Sequence, residues 1–384
     1  MPKILLGVSS SFCANFLKGQ VAFLVRHGFE VMIISGPGEE ISMLAKKENA
    51  RLFTINFTKR ISPLADLFQL FRIIRLIRLE RPDIVNAGNP KSGFLIMLAC
   101  RITGCKNPVF TLHGLLSDTK KGLLRRLITA TEKISCNIAH RVIAVSPTLK
   151  AHAEKRNILP PGKGMVMGKG SANGIDLLSF PGRNAVSARA TQLKERLDIQ
   201  EDNLVIGFLG RLSKDKGIDI LFEVFNLLVK EYPSLRLVLA GPIIEENPFS
   251  RHLLHQLYHD EKVMYLGKLY DVTPVYGIID MLVLPSFREG FPNVLIEAAA
   301  MEIPVVASDI PGCKDAVQAG INGELFEKGN VAALAAVLRK LITSKALRAQ
   351  YGQNGRKFVS DNFSNEKIWA GQLELYKKML LAAG

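Results

Sequence analysis

The residue types best suited to chemistry lie in LPSFREGFPNVLIEAAAMEIPVVAS, where an apolar run ends at Pro285 and a helix is expected near Pro292, a favoured first-turn residue. Glu289, Gly290 and Phe291 then occupy a strand-to-helix turn. Glycine in such a turn lets backbone N–H groups approach a ligand, and the helix N-terminus behind it carries partial positive charge suited to phosphate. Glu297 falls about one and a half turns into the helix, where its carboxylate can accept hydrogen bonds from sugar hydroxyls. A second cluster follows the run NLVIGFLG: Gly210, Arg211 and, five residues on, Lys216. Two cations in a glycine-lined turn at a strand's carboxyl end suit a diphosphate, which arginine grips with two parallel hydrogen bonds and lysine meets as a point charge. Paired glutamates also invite comparison with retaining glycosidases, whose nucleophile and acid stand ~5–5.5 Å apart. Here only the first glutamate stands in the turn, and the second lies inside the helix, so the two have different jobs.

In the first half, PVFTL ends at His113-Gly114, the turn after the first strand runs from Ser9 and Ser10 to Phe12, and Asn89-Pro90-Lys91 follows another strand. Lys91 is expected to meet a phosphate and His113 to orient a substrate group. DTKKGLLRRLITATEK sets Lys120, Lys121, Arg125 and Arg126 among Leu123, Leu124, Leu127 and Ile128, a pattern that suits a helix lying on an anionic leaflet.

The elements that must position these residues alternate as short β-branched runs and longer helical patterns, the signature of βαβ units and parallel sheets. KILLGV, EVMIIS, RLFTIN, DIVNA, PVFTL and RVIAVS read as strands, with helices over 64–81 and 120–138. After a Gly/Pro-rich stretch, read as a connection from Pro160 to about Arg183, the pattern restarts in NLVIGFLGRL, LRLVLAG, KVMYLG, MLVLPS and PVVAS. The expected architecture is α/β: two Rossmann-like, doubly wound domains facing across a central cleft, with ligands beyond the strands' carboxyl ends. Residues 1–180 form the first domain and 181–364 the second, and an amphipathic last helix over 365–384 packs back on the first.

Charge is uneven. Residues 1–180 hold 26 basic and 11 acidic side chains, whereas residues 181–384 hold 24 of each. The basic half calls for an anionic partner: nucleic acid, phosphorylated substrate or acidic membrane. Aromatic residues at 7%, a single tryptophan (Trp369) and no nucleic-acid module argue against the first. Five scattered cysteines, without zinc-ligand spacing, fit free thiols in a reducing compartment, the cytoplasm. MPKILLGVSS reads as a strand rather than a secretory signal. LFQLFRIIRLIRLERPDIV is apolar but carries Arg72, Arg75, Arg78 and Arg81, so it reads as a helix packed on a sheet and not as a span.

Glu289 and Glu297, with seven residues between them, resemble the E-x7-E motif of glycosyltransferase family 4, retaining enzymes of the GT-B fold. NLVIGFLGRLSKDKGID resembles the family's G-x-x-G-R-L…K-G element, with Gly207, Gly210, Arg211, Lys216 and Gly217 at matching positions. The resemblance extends to LVLAGP with Gly241, to ASDIPGCKDAVQAGINGELF and to GSANGID. It implies a transferase that moves a hexose or N-acetylhexosamine from a nucleotide sugar, UDP-linked with GDP as the alternative, to a polyprenyl-diphosphate-linked saccharide at the cytoplasmic membrane face. It further implies that Glu289 touches the donor sugar, that His113 lies near it, and that no metal or other cofactor takes part; the chain has no D-x-D triplet. Gly290, Phe291, Pro292, Gly210 and Gly241 would line the donor site, with Lys91, Ser9 and Ser10 toward the acceptor. Close relatives in bacterial polysaccharide synthesis carry T-H-T-P-K where this chain has AGNPK, so Gly88 replaces a histidine. Another two-domain sugar-nucleotide enzyme, such as an epimerase, is the competing class, but no residue speaks for it.

Overall fold

The computed structural model describes residues 1–57, 62–244 and 250–383. The chain divides into two compact units, Met1–Gly174 with Asn365–Gly384, and Ile175–Ser364. Each is built on its own parallel sheet.

The first unit contains β1 (Lys3–Gly7), β2 (Glu30–Ser35), β3 (Arg51–Thr54), β4 (Ile84–Gly88), β5 (Pro108–Leu112), β6 (Arg141–Ala144) and β7 (Gly164–Met165). They lie in the order β3-β2-β1-β4-β5-β6-β7. Leu5 sits opposite Met32 on one side and Val85 on the other, all three fully buried. Helices on both faces of such a sheet explain why its central strands are almost wholly apolar. The helices Pro63–Glu80, Pro90–Thr103 and Gly122–Ile138 make one continuous layer, the first packing on the second and the second on the third. The helix Asn365–Ala383 buries Ile368, Leu373, Tyr376 and Met379 in the core of this unit, and the Trp369 indole donates to Asn173 Oδ1 at 2.6 Å.

Two details depart from the sequence expectation. Gly164 and Met165 form the edge strand β7 inside the stretch read as a connection, since a two-residue strand leaves no periodicity to detect. The chain leaves the first unit at Gly174 rather than near residue 180, because Ile175 pairs with Ser364 and its N–H donates to Phe363 O at 2.8 Å.

The second unit contains β8 (Leu204–Leu209), β9 (Leu235–Ala240), β10 (Val263–Tyr265), β11 (Met281–Leu284), β12 (Val305–Ser308) and β13 (Gly323–Phe326). Their order is β10-β9-β8-β11-β12-β13, all parallel, with Leu282 opposite Gly207 where the winding reverses. Such a reversal leaves a crevice beyond the strands' carboxyl ends, the place where open parallel sheets take ligands.

Candidate functional site

In the second unit the chemistry gathers at this reversal point. Close backbone approach, which only glycine permits, binds three loops together. A Cβ on Gly217, at φ +73°, would lie 2.0 Å from Pro285 O, and one on Gly241 would lie 1.8 Å from Gly210 O. Phe287 N–H donates to Asp215 O at 3.0 Å, tying the loop after β11 to the loop after β8.

This framework places Lys216 Nζ 2.5 Å from Glu289 Oε1, and the Ser286 hydroxyl donates to the same oxygen at 2.7 Å. Both charged side chains are largely buried, so the pair is screened little by water. Arg211 is more open and stands 3.8 Å from Asp215, which also accepts from Ser213 Oγ at 2.6 Å. Behind the loop the helix Asn293–Ala300 starts from Pro292, where no side chain caps it. Gly290 is buried and Phe291 half-buried beside the turn.

Glu297 has a partner that its sequence context does not reveal. The Tyr276 hydroxyl donates to Glu297 Oε2 at 2.8 Å, from a ring that is fully buried. Burial raises the Glu297 carboxyl above the usual range, and the Tyr276 hydrogen bond partly opposes this. Tyr276 lies on the helix Thr273–Ile278, 21 residues upstream; an aromatic residue before an apolar strand reads simply as core. Arg288 was missed too: its Nε is buried with no hydrogen-bond partner among the described residues.

In the first unit His113 follows β5 and stacks on Phe16, with ring centroids 4.8 Å apart and planes 24° from parallel. Burial lowers its pKa to about 4, leaving the imidazole neutral around neutral pH. A Cβ on Gly88 would lie 2.5 Å from His113 Nε2, so the departure from T-H-T-P-K has a steric reason: the His113 ring fills the space a side chain at 88 would need. Asn89 adopts φ +68° and its Oδ1 accepts from Ser9 N–H at 3.3 Å. Ser9 and Ser10 hydroxyls both lie near Cys13 Sγ, at 3.5 and 3.7 Å. Lys91, expected to reach for a phosphate, instead pairs with Asp66 at 2.6 Å, because the helix Pro63–Glu80 packs against its own. Lys121, Arg125 and Arg126 are exposed and Lys120 is half-exposed, with Leu123, Leu124 and Leu127 exposed among them.

The structure therefore brings Lys216, Glu289 and Ser286 into contact, with Arg211, Gly210 and Gly241 in the adjoining loops, and gathers Ser9, Asn89, Gly88 and His113 at the carboxyl edge of the other sheet. Among the described residues no group of three or more His, Cys, Asp or Glu side chains is arranged to hold a metal, and no helix is long and apolar enough to cross a membrane.

Comparison with known proteins agrees with the geometry. The model for glycosyl transferases group 1 matches residues 190–358 and that for glycosyltransferase family 4 matches residues 14–176. The capsular polysaccharide biosynthesis glycosyltransferase CapM of Staphylococcus aureus is 34% identical over 379 residues, covering 98% of this chain and 97% of its own. The UDP-Gal:alpha-D-GlcNAc-diphosphoundecaprenol alpha-1,3-galactosyltransferase of Escherichia coli is 24% identical over 333 residues, covering 86% of this chain and 84% of its own. In fold the chain is similar to Anabaena Alr3699/HepE, solved in complex with UDP-glucose, with a TM-score of 0.80, 21% identity, and coverage of 98% and 100%. With a full-length relative at this identity and a family model on each unit, the chain belongs to the family 4 glycosyltransferases of the GT-B fold.

Proposed function

We propose that this glycosyltransferase moves a hexose or N-acetylhexosamine, with retention of anomeric configuration, from a UDP-linked donor to a polyprenyl-diphosphate-linked saccharide in surface-polysaccharide assembly. The setting is the cytoplasmic face of the membrane. The donor belongs to the second unit and the acceptor to the first. The observation that carries the reading is the Lys216–Glu289–Ser286 contact beside Arg211 and an uncapped helix start, a surface matched to a sugar diphosphate. The names of the E. coli and Anabaena proteins support a UDP donor, the former also a lipid-linked acceptor, and CapM supports polysaccharide synthesis.

In this mechanism the bond from the anomeric carbon to the β-phosphate oxygen breaks with its electron pair passing to phosphate. The acceptor oxygen bonds to the same face of that carbon and its proton passes to the departing phosphate oxygen. Arg211 and Lys216 stabilise charge that grows on the diphosphate, and they take the part a divalent ion plays elsewhere. Glu289 binds the donor sugar and Glu297 the ribose. Neutral His113 orients a hydroxyl. Its pKa near 4 makes it a poor proton acceptor at neutral pH, so it serves for orientation.

The test is a panel of UDP-, GDP- and ADP-sugars in thermal unfolding, where a ligand at ~100 times its Kd adds ~2.7 kcal/mol. Protection by a UDP-sugar, followed by transfer to a polyprenyl-diphosphate acceptor and an axial product anomer by NMR from an axial donor, is expected. Protection by GDP-sugars alone, or an inverted product, would overturn the donor or the retaining assignment respectively.

A further inference from the structure

The helix Pro63–Glu80 is not the simple sheet-packing element its arginines suggest. It buries Gln69, Ile73 and Ile77 and leaves Leu64, Leu67, Phe68 and Phe71 exposed at 85, 64, 63 and 62%. The spacing i, i+3, i+4, i+7 puts these four on one face. Arg72, Arg75 and Arg78, also exposed, follow on the next turns. A water-facing stripe of this kind on a folded surface marks a contact site.

The acids that would offset the arginines are already engaged. Asp66 pairs with Lys91 at 2.6 Å and Glu80 with Arg51 at 2.7 Å. On the helix Gly122–Ile138 the one acid, Glu132, is buried and accepts from Ser117 N–H at 3.2 Å. That helix repeats the pattern, apolar Leu123, Leu124 and Leu127 beside Arg125 and Arg126. Both helices belong to one layer, bridged by Pro90–Thr103, and both start at the carboxyl edge of the first sheet. Their apolar turns therefore share one end of the layer. From Phe71 to Arg75 is four residues, about 6 Å of rise, similar to the depth to which an interfacial helix enters the boundary between headgroups and acyl chains.

We propose that the first turns of Pro63–Glu80 form a hydrophobic membrane anchor: Leu64, Leu67, Phe68 and Phe71 enter an anionic leaflet while Arg72, Arg75 and Arg78 meet its phosphates, alongside the start of Gly122–Ile138. The occupant is lipid because the surface couples apolar tips to cations with no exposed acid between them on either helix, a charge pattern that an anionic leaflet complements over both helices at once. This deepens the reading of a membrane-bound acceptor and rests on it only for its purpose. A leaflet seated here would present a lipid-linked saccharide at the sheet edge that carries His113 and Asn89.

The test is co-sedimentation of the full chain with vesicles of phosphatidylcholine alone and of equimolar phosphatidylcholine and phosphatidylglycerol. Wild type should bind the anionic vesicles, less as salt rises. Phe68→Ser/Phe71→Ser should weaken that binding about tenfold or more with the melting temperature unchanged. Arg75→Gln/Arg78→Gln should weaken it and flatten the salt dependence. Leu67→Trp should be quenched by brominated acyl chains. Unchanged vesicle binding in the Phe68/Phe71 variant would overturn the proposal, as would a soluble dimer that this variant converts to monomer, which would assign the face to a second copy. Transfer from a UDP-sugar to a polyprenyl-diphosphate-linked saccharide dispersed in detergent separates the two ideas: its absence in wild type that still binds vesicles refutes the proposed function and leaves the anchor standing.

Discussion

Lowering the pH should remove stability that the neutral, half-buried His113 contributes. Its pKa falls from 6.5 to about 4 because burial disfavours the cation. A group depressed in the folded state contributes fully above its unfolded pKa, and the contribution is lost as pH falls through the folded value. The window therefore runs from pH 6.5 down to about 4. The fall from 6.5 to about 4 corresponds to about 3 kcal/mol in the limit, of which about 2 kcal/mol is gone by about pH 5. His113→Gln keeps a polar side chain of similar size and has no proton to take up. In urea unfolding, the drop in stability between about pH 7.5 and about pH 5 should be about 2 kcal/mol smaller in the variant than in wild type. The His113 Cε1 proton, followed by NMR, should move only below about pH 5. Equal pH slopes in the two proteins, or an imidazole titrating near its ordinary value, would refute both the burial argument and the role of His113 as a neutral orienting group.

Other expectations concern the second unit. Lys216→Ala should lower kcat by about 100- to 1,000-fold, the range for losing one donor to developing negative charge, with EDTA changing neither kcat nor KM of wild type. Full activity of that variant removes the diphosphate assignment. Glu297→Ala should raise the donor KM with a smaller effect on kcat in steady-state assays. Tyr276→Phe removes a hydrogen bond to a carboxylate, about 1.5–3 kcal/mol, and should push the Glu297 carboxyl still higher. The acid side of the donor-KM profile should then move to higher pH, which a purely structural role for Tyr276 would not produce. Gly217→Ala and Gly104→Ala both place alanine at positive φ, but only the former drives a Cβ into backbone, at Pro285 O. By denaturant unfolding, Gly104→Ala should cost about 1 kcal/mol and Gly217→Ala clearly more.

The parallel sheets were legible because a strand covered on both faces must be apolar along its length, and EVMIIS, PVFTL and LVIGFL are. The Lys216–Glu289 contact was legible in outline, since each residue follows a strand at the reversal point of one sheet. Pairings between remote segments were not. Nothing local to Lys91 announces Asp66, because two helices had to pack before the ions met, and nothing local to Glu297 announces Tyr276. Gly88 looked like a lost side chain until the position of the His113 ring supplied the reason. The exposure of Phe68 and Phe71 was hidden for the opposite reason: an apolar helical face reads as core, and only the folded chain tells which faces have no cover.

The helix Asn365–Ala383 belongs to a unit whose other residues end at Gly174, with the entire second unit between them in the chain. On the ribosome, the later unit is therefore made before the earlier one is complete. Until that segment emerges, the groove that will receive Tyr376 and Met379 is open to solvent, beside apolar strands already synthesised. A nascent chain stalled before residue 365 would hold a finished second unit joined to an unfinished neighbour, and that neighbour is where chaperones would be expected to bind.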